Sequence, residues 1–170
     1  MILGLSIAAF TTLHVIISLV AIVSGVVVVI GMLGGHRLPG LTALFLLTTV
    51  LTSLTGFLFP IRGFTPALGV GLVSCLLLAV ALIAVYSRHL AGSWRWLYVT
   101  TAVAALWFNV LVLIVQSFEK VSLLNPLAPQ VGPPFAEPTN TYFTILQVVA
   151  LIVFAALGFF AFRRFYPTRA

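Results

Sequence analysis

Charge is nearly missing from this chain. Only 6% of its 170 residues are Asp, Glu, Lys or Arg, and 62% are hydrophobic. A soluble domain carries about 25% charged residues. A chain this bare cannot cover a water-facing surface, so a soluble globular fold is excluded and lipid becomes the expected solvent. The acids number two, Glu119 and Glu137, and nothing in the spacing fixes their separation, which leaves paired-carboxylate chemistry without a frame. The single Cys75 excludes an intramolecular disulfide and any cysteine-based metal motif. Set in an apolar run, it reads as a small packing residue. No charge precedes Arg37, so the basic opening of a cleavable signal is absent and the first apolar segment is expected to be retained as a span. Glycine-rich phosphate loops, serine elbows and His–Glu zinc motifs are absent as well, and ordinary hydrolase chemistry has little support. No internal repeat is visible, and five spans do not divide into two equal inverted halves, which argues against a self-contained alternating-access transporter.

What is present is length of apolar sequence. Five stretches, residues 5–33, 41–59, 66–86, 94–117 and 142–162, reach or approach the roughly 20 residues needed to cross about 30 Å of hydrocarbon. The expected fold class is all-α: a polytopic bundle of five transmembrane helices forming one domain over residues 1–170. The net charge of +6 is scattered through short loops rather than gathered in a patch. It reads as a topology signal and not as a nucleic-acid surface, because Lys and Arg are retained on the cytoplasmic side. With the N-terminus outside, the cytoplasmic segments hold Arg37, Arg88, Arg95, Arg163, Arg164 and Arg169, and the outer segments hold only Arg62 and Lys120. That bias is expected to put the C-terminus in the cytoplasm. Trp94, Trp96, Tyr98 and Tyr142 sit at span ends, where interfacial anchors are expected. The outer loop 118–141 contains Pro126, Pro129, Pro133, Pro134 and Pro138 and is expected to be extended or turn-rich, either as a lid or as a tether.

One span stands apart. From Trp94 to Lys120, every third or fourth residue gives Thr101, Ala105, Asn109, Val112, Gln116 and Lys120, a seam along one helical face. An amide in hydrocarbon costs free energy unless it finds a partner, so Asn109 and Gln116 are expected to face other helices or a water pocket. The first span carries a comparable run, Thr11, His14, Ser18, Ala21 and Gly25. The second presents Thr48, Thr52 and Thr55 with Thr49, Ser53 and Gly56 beside them, and the third a stripe of Gly71, Cys75 and Ala79. At about 1.5 Å per residue, His14, Thr52, Asn109 and Gln147 lie at similar depths, roughly 7–15 Å below the outer surface. Gln116 and Lys120 continue toward the mouth. These six residues form the expected ligand site, a polar pocket in the outer half of the bundle.

His14 is the only ionisable group well inside a span, which makes it a candidate proton relay, metal ligand or haem ligand; its alternative role is a neutral imidazole joining helices. His36 and His89 lie at the other end, beside arginines, outside any ligand motif. The segment Leu13-His14-Val15, an apolar first span with one histidine, resembles the opening helix of haem-binding bacterial membrane proteins, among them the oxygen-independent protoporphyrinogen-oxidising type and membrane di-haem cytochromes. The resemblance covers about one helix and implies haem as a cofactor. A bis-histidine haem needs a second histidine at matching depth, and none stands opposite His14. Thr55-Gly56-Phe57-Leu58-Phe59-Pro60 and Leu127-Ala128-Pro129 are similar to small multi-pass bacterial membrane proteins of uncharacterised role, a likeness that implies a bacterial inner membrane as the location and no activity.

Three functions follow. The first is a binding or transport protein for a small polar or amphiphilic ligand in the outer pocket. The second is a redox subunit holding haem or quinone at His14. The third is a structural or assembly subunit, as a homo-oligomer or within a larger membrane complex. The bilayer is the expected partner in all three.

Overall fold

The computed structural model describes residues 1–60, 65–127 and 141–166. Most of them lie in five α-helices: α1 (Ile7–Leu33), α2 (Pro39–Gly56), α3 (Pro66–Leu82), α4 (Trp94–Lys120) and α5 (Thr141–Arg164). Each is long and apolar enough to cross a membrane, counting α3 with the wide π turn Ile83–Ser87 that continues it. The lid or tether expected over 118–141 falls largely outside the described residues, as do Arg62, Glu137 and Arg169. Within that stretch α4 runs on to Lys120, and a single tight turn follows at Asn125–Leu127.

Local chemistry sets the helix ends. Ser6 caps α1, its hydroxyl accepting from the Ala9 N–H at 3.2 Å. The same helix stops where Gly35 adopts φ 73, and the His36 N–H turns back to the Gly31 carbonyl at 2.8 Å while that of Gly35 reaches Met32 at 3.0 Å. That pair of bonds is a Schellman closure, which requires a left-handed residue and so a glycine. Pro39 and Pro66 open α2 and α3 in the first helical turn, where a missing N–H costs nothing.

Helix α4 packs against each of the other four, so the bundle is assembled around it. Its buried face runs through Tyr98, Thr101, Ala102, Ala105 and Leu106, where small residues let Phe45 and Leu46 of α2 and Val28 and Val29 of α1 close in. On α3 the buried residues are Ser74, Leu78 and Ala81, so the packed face is not the expected Gly71–Cys75–Ala79 stripe, whose members are half-buried or exposed. Tyr98 is likewise not an interfacial anchor. It is 2% exposed, its ring 6.1 Å from that of Phe165, because it lies one turn before Thr101 on the same inward face.

Packing is uneven along the bundle. The end that gathers the α1–α2 link, the α3–α4 link and the close of α5 holds most of the core, including Met32, Ala84, Leu90, Tyr98, Ala161 and Phe165. Side-chain-to-carbonyl bonds tie this arginine end together: Arg37 donates to the His89 carbonyl at 3.4 Å, and Arg95 donates to the Phe165 carbonyl while its guanidinium lies 3.8 Å from the Tyr166 ring centre. Toward the opposite end the helices are far less covered. Over residues 7–20 of α1 only Phe10 is buried, and in α5 only Ala161, which belongs to the arginine end.

Candidate functional site

The loosely covered half carries most of the polar side chains singled out by the sequence. His14, on α1, is half-buried and meets α2. Its Nδ1 lies 2.7 Å from Thr55 Oγ1, and the Phe59 ring stands edge-on to the imidazole, 5.3 Å between centres. The Thr55 hydroxyl has one proton and donates it to the Leu51 carbonyl at 2.6 Å. With its proton on that carbonyl, the Thr55 oxygen accepts from His14, an assignment in which the imidazole proton sits on Nδ1. The lone pair of a neutral His14 is then on Nε2, for which no described residue supplies a hydrogen bond.

Asn109, on α4, is half-buried and donates from Nδ2 to Thr49 Oγ1 of α2 at 3.4 Å. Thr52 is also half-buried, with its hydroxyl returned to the Thr48 carbonyl of its own helix at 2.9 Å. Thr48 and Thr49 do the same to Leu44 and Phe45, each at 2.7 Å, a bonding pattern that lets a hydroxyl tolerate an apolar setting without a partner helix. α2 thus joins His14 of α1 and Asn109 of α4 through two different threonines, Thr55 and Thr49, six residues apart.

The remaining candidates sit elsewhere. Gln147 lies in the α4–α5 contact, where its Nε2 donates to the Leu111 carbonyl at 3.4 Å. Gln116 and Lys120 are exposed at the end of α4, and Gln116 Nε2 is 3.5 Å from Glu119 Oε2. His36 and His89 are exposed at the arginine end, and among the described residues no group of three His, Cys, Asp or Glu is placed to hold a metal ion.

Among the described residues, two buried polar atoms have no hydrogen-bond partner, Trp107 Nε1 and Gln147 Oε1. Gln147 bonds the residue one turn beyond Trp107, so both unpaired atoms belong to the α4–α5 contact. A groove of about 360 Å³ opens beside them on this contact, bounded by Trp107 and Leu151 at one limit and by Phe162 at the other. This groove is not legible in the sequence, because both of its flanks are apolar. The small residues Ala104, Ala155 and Gly158 that form it were the only available signal.

The chain is thus an all-α bundle whose five helices have the length and apolarity of membrane spans. Comparison with known protein families, with curated proteins and with solved structures finds no match.

Proposed function

We propose that the chain is an integral protein of a bacterial inner membrane, with its first residues outside and its last in the cytoplasm. In this reading the loosely packed His14 half opens outward and binds or transports a small polar or amphiphilic ligand. The observation that carries the reading is the state of His14. It is held by Thr55 through Nδ1, it is set in the less covered half of the bundle, and its Nε2 has no hydrogen-bond partner among the described residues. With the imidazole proton on Nδ1, such an intramembrane histidine offers Nε2 as an acceptor and suits a ligand that brings an N–H or O–H. The orientation is supported by the charge pattern: the arginine end holds Arg37, Arg88, Arg95, Arg163 and Arg164, whereas Glu119, the one acid among the described side chains, and Lys120 lie at the other end.

A second reading has the same atom in its favour. A quinol hydroxyl donates a hydrogen bond, and a haem iron accepts a lone pair, so Nε2 suits either. A bis-histidine haem does not fit, since His36 and His89 are at the arginine end; a quinol, needing one acceptor, does.

Single-cysteine labelling tests the first reading. In a Cys75→Ser background, His14→Cys and Asn109→Cys are each exposed to a membrane-impermeant thiol reagent on the outer side of right-side-out vesicles. Labelling at 14 is expected, with weaker labelling at the more covered 109; complete protection of both overturns an outward pocket. An absorption spectrum of the purified protein, oxidised and then dithionite-reduced, separates the alternatives: a Soret band that vanishes in His14→Ala replaces the ligand reading with haem.

A further inference from the structure

We infer that the α4–α5 groove holds one acyl chain of an anionic phospholipid whose headgroup rests on Arg163, an inference that depends on the membrane reading above. The groove's volume of about 360 Å³ falls within the range of small-molecule sites. Its length is more telling. From Leu151 to Phe162, α5 advances about 16 Å at 1.5 Å per residue. One leaflet of hydrocarbon is about 15 Å, half of a core about 30 Å thick. The position matches too, since the groove starts at the arginine end and stops at Trp107, midway along Trp94–Lys120. It therefore covers one leaflet from interface to midplane.

Ala104, Ala155 and Gly158 keep it open, and the lining is almost wholly apolar. The Trp107 N–H is sealed from solvent and so selects no headgroup. The wall calls for a hydrocarbon chain, and the mouth supplies the headgroup contact. The Arg163 guanidinium lies 5.8 Å from the ring centre of Phe159, a groove residue, and the Trp96 ring is 6.3 Å from that of Phe162. Arg95 is already committed to the Phe165 carbonyl, whereas Arg163 is exposed and no described residue accepts a hydrogen bond from it. With no described carboxylate at this end, the mouth carries uncompensated positive charge, which a net-negative headgroup complements and a zwitterionic one does not.

The test uses the full chain in detergent, mixed with equal amounts of dioleoyl-phosphatidylglycerol and dioleoyl-phosphatidylcholine and read by native mass spectrometry. One lipid per chain is expected to survive, with phosphatidylglycerol favoured about fivefold, the effect of roughly one cation near an anionic surface. Arg163→Gln is expected to bring the ratio close to one, and Arg163→Lys to keep it. Ala155→Phe, at an exposed groove position, is expected to remove adducts of both lipids. Equal retention by the wild type, a preference untouched by Arg163→Gln, or adducts untouched by Ala155→Phe each overturns the lipid site. Flotation of the wild type with vesicles after alkaline washing separates the two levels. A chain that does not float overturns the membrane reading, and one that floats without lipid preference overturns only the groove.

Discussion

Gly25 is where the bundle has least room. A Cβ added there would lie 2.7 Å from Leu106 Cδ1 and 2.8 Å from Phe45 Cδ2 and Cε2, where ordinary contact begins at 3.4 Å. Each neighbour would have to retreat by 0.6–0.7 Å. Side-chain ends often move that far cheaply, but here Leu106 is 1% exposed and Phe45 0%, so neither has free space to enter. Overpacking of this kind costs about 1–3 kcal/mol. The helix itself gains about 0.5–1 kcal/mol from Gly→Ala, which offsets part of that. Gly25→Ala is therefore expected to destabilise by up to about 2.5 kcal/mol, and by about 1–3 kcal/mol relative to a Gly→Ala change that makes the same helical gain without the clash. Gly40→Ala is the control: it lies in the first turn of α2 with nothing within 4 Å of an added Cβ, and should be neutral or slightly stabilising. The assay is reversible unfolding by SDS in mixed micelles, followed by tryptophan fluorescence. Phe45→Leu in the Gly25→Ala background should recover part of the loss, since it removes one of the two obstructing groups. If Gly25→Ala is as stable as Gly40→Ala, the α1–α2–α4 junction is not packed as described, and the account of the core fails with it.

Other contacts give sharper local readouts. Thr55→Val removes the acceptor that fixes the His14 proton, and should cost about 1 kcal/mol as other interhelical polar contacts in membranes do. Nitrogen-15 chemical shifts of His14 should show Nδ1–H as the dominant neutral tautomer in the wild type and a mixture in Thr55→Val; the same pattern in both would refute the assignment. Arg95→Lys cannot reproduce both the hydrogen bond to the Phe165 carbonyl and the stack on Tyr166. Amide exchange at Phe165 and Tyr166 is expected to speed up severalfold while α1 and α2 stay protected. Unchanged exchange at the end of α5 would show that packing of Phe165 alone holds it.

What sequence conveys about such a bundle is depth along each helix far more than rotation about it. The rise per residue is fixed, so a run of apolar residues of known length places its ends, and the five helices fall close to the five apolar stretches. The residual shifts have local causes. α2 starts at Pro39 because proline suits the first turn, and it closes at Gly56 with the tighter bonds of Phe57 to Leu54 and Leu58 to Thr55. Rotation needs contrast between faces, and α1, α3 and α5 are apolar almost all round. Only α4 has strong contrast, and its seam does point inward at Thr101 and Ala105 before emerging at Gln116 and Lys120. Tyr98 sits on that same face, so its burial follows from the seam and not from its place at a span end. The partners of the polar groups were legible only as classes. At the depth of His14 and Asn109, α2 offers a column of threonines, each able to satisfy itself on its own backbone. Which of them turns toward a neighbour is settled by the close approach of α1 and α4 to α2, and so Thr55 rather than Thr52 holds the imidazole and Thr49 holds the amide.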